Sequence, residues 1–345
     1  MAGSCLRMAS QVRKNRGLPL SQFCGRDQPW YSGFPVGGKL CLSCLSQPRA
    51  QAQSGMVTSA IRTRGWRRNS RLLILYGVAA TGTLYFYLRA SIPLNPGYHD
   101  FADQSGMMGI PNALDTLSNL AFLLVGILGF AFLLSPSNCM TFRETRERLA
   151  YLVFFLGVAL TGLGSTYYHL APGDRRLVFD LVPMTFSFVS LLAATIVERI
   201  STRAGLWLLG PLVALGAATV LFWYRGSLHG DGDLKFYLCV QFFTPVLIGT
   251  ILLLFPSSYT GTADLGIAFG LYVLAKIFES LDGQIYSVGR IVSGHTLKHL
   301  TAALACYWIL RMLQNRRVLV LETPSVESLA IPGQPDHGAV QMGQS

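Results

Sequence analysis

Two histidines open a late apolar segment four residues apart, in Gly294-His295-Thr296-Leu297-Lys298-His299. On a helix this spacing puts both imidazoles on one face, one turn apart, where two rings can reach one metal ion. A third, His169, closes an earlier apolar segment, Gly162-Leu163-Gly164-Ser165-Thr166-Tyr167-Tyr168-His169, with Ser165 one turn before it. Asp180 follows eleven residues after His169, ahead of Pro183-Met184. Three neutral imidazoles with a fourth position left to water make a common catalytic zinc set, and zinc lowers the pKa of water from 15.7 to about 7. An aspartate beside such a set can orient the water and take its proton. A serine one turn from a ligand can donate to the oxyanion of a tetrahedral intermediate. Each residue also has a plainer reading: the histidine pair as helix packing, Ser165 as a small contact residue, and Asp180 as a partner for Arg175 or Arg176.

What must position these groups is a set of apolar helices. The 345 residues are 51% hydrophobic and only 13% charged, against roughly 25% charged in soluble domains. Window hydropathy marks eight runs of spanning length, at 72–88, 114–134, 149–170, 177–197, 205–224, 235–255, 263–279 and 296–313. The expected fold is therefore all-α, a multi-pass transmembrane bundle with a seven-helix core over 98–313 and an added N-terminal anchor at 72–88. A proline-containing stretch, Arg89 to Asn112, separates the anchor from the core. Ionisable groups at membrane depth cost about 2.5–3.5 kcal/mol each on insertion scales, which makes each a functional candidate. The third run ends, and the fourth and eighth begin, on one side of the membrane. The three histidines can thus meet at one depth whatever the absolute orientation.

Charge is placed unevenly. Residues 1–71 hold twelve basic side chains and one acid, Asp27, which accounts for the whole formal net charge of +11. The basic character belongs to this tail, not to a groove for nucleic acid. It reads either as an organellar targeting segment or as a disordered tail held on the cytoplasmic side by Arg62, Arg64, Arg67, Arg68 and Arg71. The polar residues 318–345 read as a second disordered tail. Seven scattered cysteines, among them Cys41-Leu-Ser-Cys44, indicate neither a disulfide framework nor a two-pair metal site.

The set Gly-x-Gly-Ser-x-x-x-His, Asp180 before Leu181-Val182-Pro183-Met184, and Gly-His-x-x-x-His resembles the alkaline ceramidases, in a wider superfamily of seven-helix membrane hydrolases. The resemblance spans roughly 98–313 and includes Asn119 in Asp115-Thr116-Leu117-Ser118-Asn119. It implies zinc held by His169, His295 and His299, with Asp180 as proton acceptor and Ser165 as oxyanion donor. The implied reaction cleaves the amide of a membrane lipid, ceramide, to a sphingoid base and a fatty acid, in endoplasmic reticulum or Golgi membranes. The basic tail keeps a plastid or mitochondrial membrane open. In two places the chain departs from the family. Where the family has a Trp- and Glu-containing calcium segment, this chain reads Tyr98-His99-Asp100-Phe101-Ala102-Asp103, with Asn112 in place of a Glu. Asp100, Asp103 and Asp115 are the hard oxygen donors left for calcium. Lys298 replaces a Trp before the last histidine, so the substrate is open to another lipid amide or ester. The alternative class is a receptor-like membrane protein with a structural zinc. Glu279 and Asp282 either line the mouth of the site or support it from behind, or are simply solvated at helix ends.

Overall fold

The computed structural model describes residues 49–319. The expectations for residues 1–48, including Cys41 and Cys44, and for the tail beyond 319 fall outside the described residues. The chain divides into two units, Met1–Ile61 and Arg62–Ser345; the bundle and its site belong to the second. Among the described residues there is no strand, only two isolated bridges, Met107 with Ile110 and Tyr259 with Val318.

Each of the eight apolar runs is helical. Helix α1 (Arg49–Leu88) reaches back into the stretch expected to be tail. A short α2 (Ala113–Ser118) runs into α3 (Leu120–Leu134). Then come α4 (Arg148–Leu170), α5 (Asp174–Arg199) and α6 (Thr202–Ser227). The sixth run is split into α7 (Lys235–Leu238), a π turn (Cys239–Phe243) and α8 (Thr244–Leu254). Pro245 is the physical reason: it has no N–H and its ring crowds the carbonyl four residues back. That carbonyl, on Gln241, instead accepts from the Tyr272 hydroxyl at 3.3 Å. The last elements are α9 (Thr262–Ser280), the short α10 (Asp282–Gly289) and α11 (Gly294–Asn315).

Six of these segments are long and apolar enough to cross a membrane: Arg68–Leu88, Ala113–Leu134, Thr145–Leu170, Asp174–Arg199, Thr202–Ser227 and Lys235–Leu254. This is compatible with a multi-pass membrane protein. Helices α9 and α11 fall short, because α9 carries Asp264, Lys276 and Glu279 and α11 carries His295, Lys298, His299 and Arg311. The outer surface is apolar, with Leu73, Tyr87, Trp207 and Leu253 at 67–89% exposure. That pattern suits lipid as solvent and is a liability in water. Inside, α4 packs between α3 and α5, α5 against α6 and α8, and α11 against α9 and α3.

The contact of α4 with α5 is set by two residues. Pro183 leaves the Phe179 carbonyl without its helical donor, and that carbonyl faces Gly164. A Cβ on Gly164 would lie 1.8 Å from the Phe179 oxygen, so only glycine permits this approach. The result brings Ser165 and Asp180 together in adjacent turns of the two helices.

Candidate metal centre

His169 from the end of α4, and His295 and His299 from the first turns of α11, converge in the bundle interior. Their ring centroids lie 4.9, 5.0 and 4.7 Å apart, pair by pair. Ligand nitrogens from all three rings fall within 4.8 Å of one another. Exposure is 0% for His169, 9% for His295 and 4% for His299. Both ring nitrogens of His169 are buried with no hydrogen-bond partner among the described residues. A buried polar group left unpaired is costly, and a metal ion supplies the partner that this ring otherwise lacks. The donor chemistry and the unpaired nitrogens therefore fit a metal such as zinc.

His299 is fixed by a residue that sequence reasoning passed over. Its Nδ1 lies 2.8 Å from the Ser118 hydroxyl, while that hydroxyl donates to the Asp115 carbonyl at 2.9 Å. A hydroxyl has one proton to donate. With it committed to Asp115, His299 Nδ1–H must donate to Ser118 Oγ, leaving the Nε2 lone pair for a metal. This is the usual support behind a ligating histidine. Ser118 stands 181 residues from His299, and no local spacing announces the pairing.

The N-terminus of α11, which carries two of the three imidazoles, is held from several sides. Ser293 caps it, its Oγ accepting from Thr296 N at 3.0 Å. Asp115 Oδ1 accepts from Ser293 Oγ at 3.0 Å and from Thr296 Oγ1. Asp282 accepts from His295 N at 2.7 Å with one oxygen and from Ala102 N at 3.1 Å with the other. It thereby joins α11 to the segment bearing Phe101, whose ring covers His169 and His295 at 4.5 and 4.6 Å. Gly294 allows the fit, since a Cβ there would lie 2.2 Å from the Phe278 carbonyl. His99 ties the same segment down through Tyr168 and Asp174, at 2.9 and 3.0 Å. Asn112 Nδ2 donates to the His169 carbonyl at 2.8 Å.

Ser165, Asp180 and His299 line one cavity of about 460 Å³, together with Lys276, Glu279 and Lys298. Its remaining wall is almost wholly apolar and runs along α4, α5, α8, α9 and α11 past Phe154, Leu191, Ile248, Leu252 and Ile309. Asp180 is 9% exposed and hydrogen-bonds with Ser165. Among the described residues it has no ion pair: Arg176 instead donates to the Tyr167 carbonyl at 3.1 Å and lies over the Tyr167 ring. Glu279 ion-pairs with Lys276 and with Lys298, the latter at 3.2 Å. Lys298 Nζ also lies 2.9 Å from His295 Nε2.

The three aspartates considered for calcium are not brought together. Asp100 is exposed, Asp103 Oδ1 is bonded to Ser105 N and Oγ, and Asp115 serves α11. Among the described residues, the histidine trio is the group whose donors converge. No family model matches the chain, and a search among curated proteins finds no match. Structure and sequence together define a helical bundle suited to a membrane, with a buried three-histidine group able to hold a metal ion.

Proposed function

We propose that the protein is a zinc-dependent intramembrane hydrolase of the alkaline ceramidase type, which cleaves the amide of a ceramide-like lipid to a sphingoid base and a fatty acid. One observation carries this reading. Three buried imidazoles converge beside an apolar cavity, and one of them, His299, lines its polar end together with Ser165 and Asp180. The apolar walls offer an acyl chain a site of ordinary ligand size and hold its carbonyl carbon at the polar end.

His169, His295 and His299 would hold the ion, which when bound supplies a Lewis acid and acidifies water. Asp180 accepts a proton from the attacking water as the C–O bond forms, and gives it to the leaving nitrogen as the C–N bond breaks. The Ser165 hydroxyl turns from Asp180 to donate to the carbonyl oxygen as negative charge develops there. Phe101 closes the imidazole group from outside.

In this reading α2/α3 to α11 supply the seven-helix core and α1 is an added anchor, set in an endomembrane. Helices α9 and α11 cross as well, with Arg311 paired to Asp264 and with Lys276 and Lys298 sharing the one carboxylate of Glu279. The test is fatty-acid release from a ceramide panel by detergent-purified protein, wild type beside Asp180→Asn. Release should fall by about 10²-fold or more, the scale of general acid–base catalysis, with the metal retained. Undiminished release in the variant would sink the proposal.

A further inference from the structure

We infer that Lys298 governs metal loading of the histidine group by moving between His295 and Glu279. The inference rests on the three-histidine metal site and is independent of which bond the protein cleaves.

The geometry places one ammonium between two acceptors. Lys298 Nζ lies 2.9 Å from His295 Nε2 and 3.2 Å from Glu279 Oε1. An ammonium has donors only, so in this contact His295 Nε2 accepts with its lone pair. A neutral imidazole has one lone pair, and its other nitrogen then carries the ring proton. While the contact holds, neither nitrogen of His295 is open to an ion. The ring has little freedom to escape, because Asp282 holds the His295 amide and Phe101 packs against its face.

Electrostatics acts in the same direction. A divalent cation at the imidazoles would meet a positive charge at hydrogen-bond distance from one ligand, in an apolar wall where screening is weak. Glu279 provides the way out. It already accepts from the same ammonium, so a small rotation of the lysine side chain releases His295 and keeps the charge paired. Glu279 is shared with Lys276, which limits how firmly it can retain Lys298. Metal binding on this account displaces Lys298 toward Glu279, and the balance of the two contacts sets the affinity. Ser118 performs the opposite service for His299, leaving its Nε2 open.

The experiment is a zinc titration of the full-length detergent-solubilised protein against a competing chelator, read as affinity without any substrate. K298M should bind zinc about tenfold tighter or more, from the lone pair returned and the repulsion removed. K298R, which keeps the charge, should stay near wild type. E279Q removes the place to which the lysine withdraws and should weaken binding several-fold, an effect that shrinks in the K298M background as expected of coupled residues. Equal or weaker binding in K298M overturns the inference, as does an E279Q effect of the same size in both backgrounds. Zinc binding that His169→Ala abolishes while K298M leaves it unchanged would discard the lysine's role and keep the metal site. Absence of zinc from both wild type and K298M would discard both.

Discussion

At one end of α4, α5 and α11, Arg316 ion-pairs with Glu198 and its guanidinium lies over the rings of Tyr259, Phe142 and Tyr151 at 4.1, 4.4 and 5.4 Å. Tyr151 donates to Glu198 at 2.9 Å, and Tyr259 donates to Glu147. At the other end of the same helices lie the three histidines, Asp180 and Ser165. Tyr151 and His169, eighteen residues apart on α4, mark the two ends, about 27 Å from each other at 1.5 Å per residue. Both clusters bury polar groups among apolar helices. In the first, opposite charges meet one another and aromatic faces cover the cation, although Nε and the second terminal nitrogen of Arg316 have no hydrogen-bond partner among the described residues. In the second, like groups meet, the two nitrogens of His169 have no partner among the described residues, and the cavity reaches the group at His299. A cluster whose opposite charges offset one another holds the fold together. One that gathers three metal-ligating rings of a single kind, with one ring left without a partner, calls for a ligand.

This contrast can be broken in two ways. The larger effect belongs to the ion-paired end. Arg316→Met leaves Glu198 buried without its cation, and loss of one partner of a buried pair costs about 3–5 kcal/mol. The variant should unfold well before wild type in detergent, measured by thermal or denaturant unfolding, while the folded fraction binds zinc normally. A zinc affinity that falls with stability would show that the two ends are not separable. The smaller effect belongs to the open end. Ser118→Ala frees the tautomer of His299 and should weaken zinc binding by about 10–100-fold, the usual loss for a residue that supports a ligand. Its unfolding should stay close to wild type. A Ser118→Ala protein that binds zinc normally would remove the orienting role given to Ser118.

Much of this was legible in the residues, for identifiable reasons. Eight apolar runs became helices, the form in which an apolar segment satisfies its own backbone groups. The pair His295 and His299 shares a helix face by its spacing, and the expectation that His169 meets them agrees with the convergence of the three rings. The split in the sixth run was not foreseen, although Pro245 sits inside it, because hydropathy reports composition and is blind to a missing N–H. Helix α1 begins at Arg49, earlier than the apolar run that marks it. The support around the site was hidden for another reason. Ser118 reaches His299, and Asp115 reaches Ser293 and Thr296, across nearly the whole core, and only packing brings them together. The sequence offers Asp282 at the mouth of the site or behind it; its two oxygens bond the backbones of His295 and Ala102, partners that spacing alone does not specify.

The claim on which the rest depends is that the three-histidine end holds a metal ion. Zinc content should be measured on detergent-purified protein, wild type beside His169→Ala, with Arg316→Met as the control from the opposite end. The account predicts about one zinc per chain in wild type and in folded Arg316→Met, and none in His169→Ala. Wild-type protein without zinc, or His169→Ala with as much zinc as wild type, would contradict it.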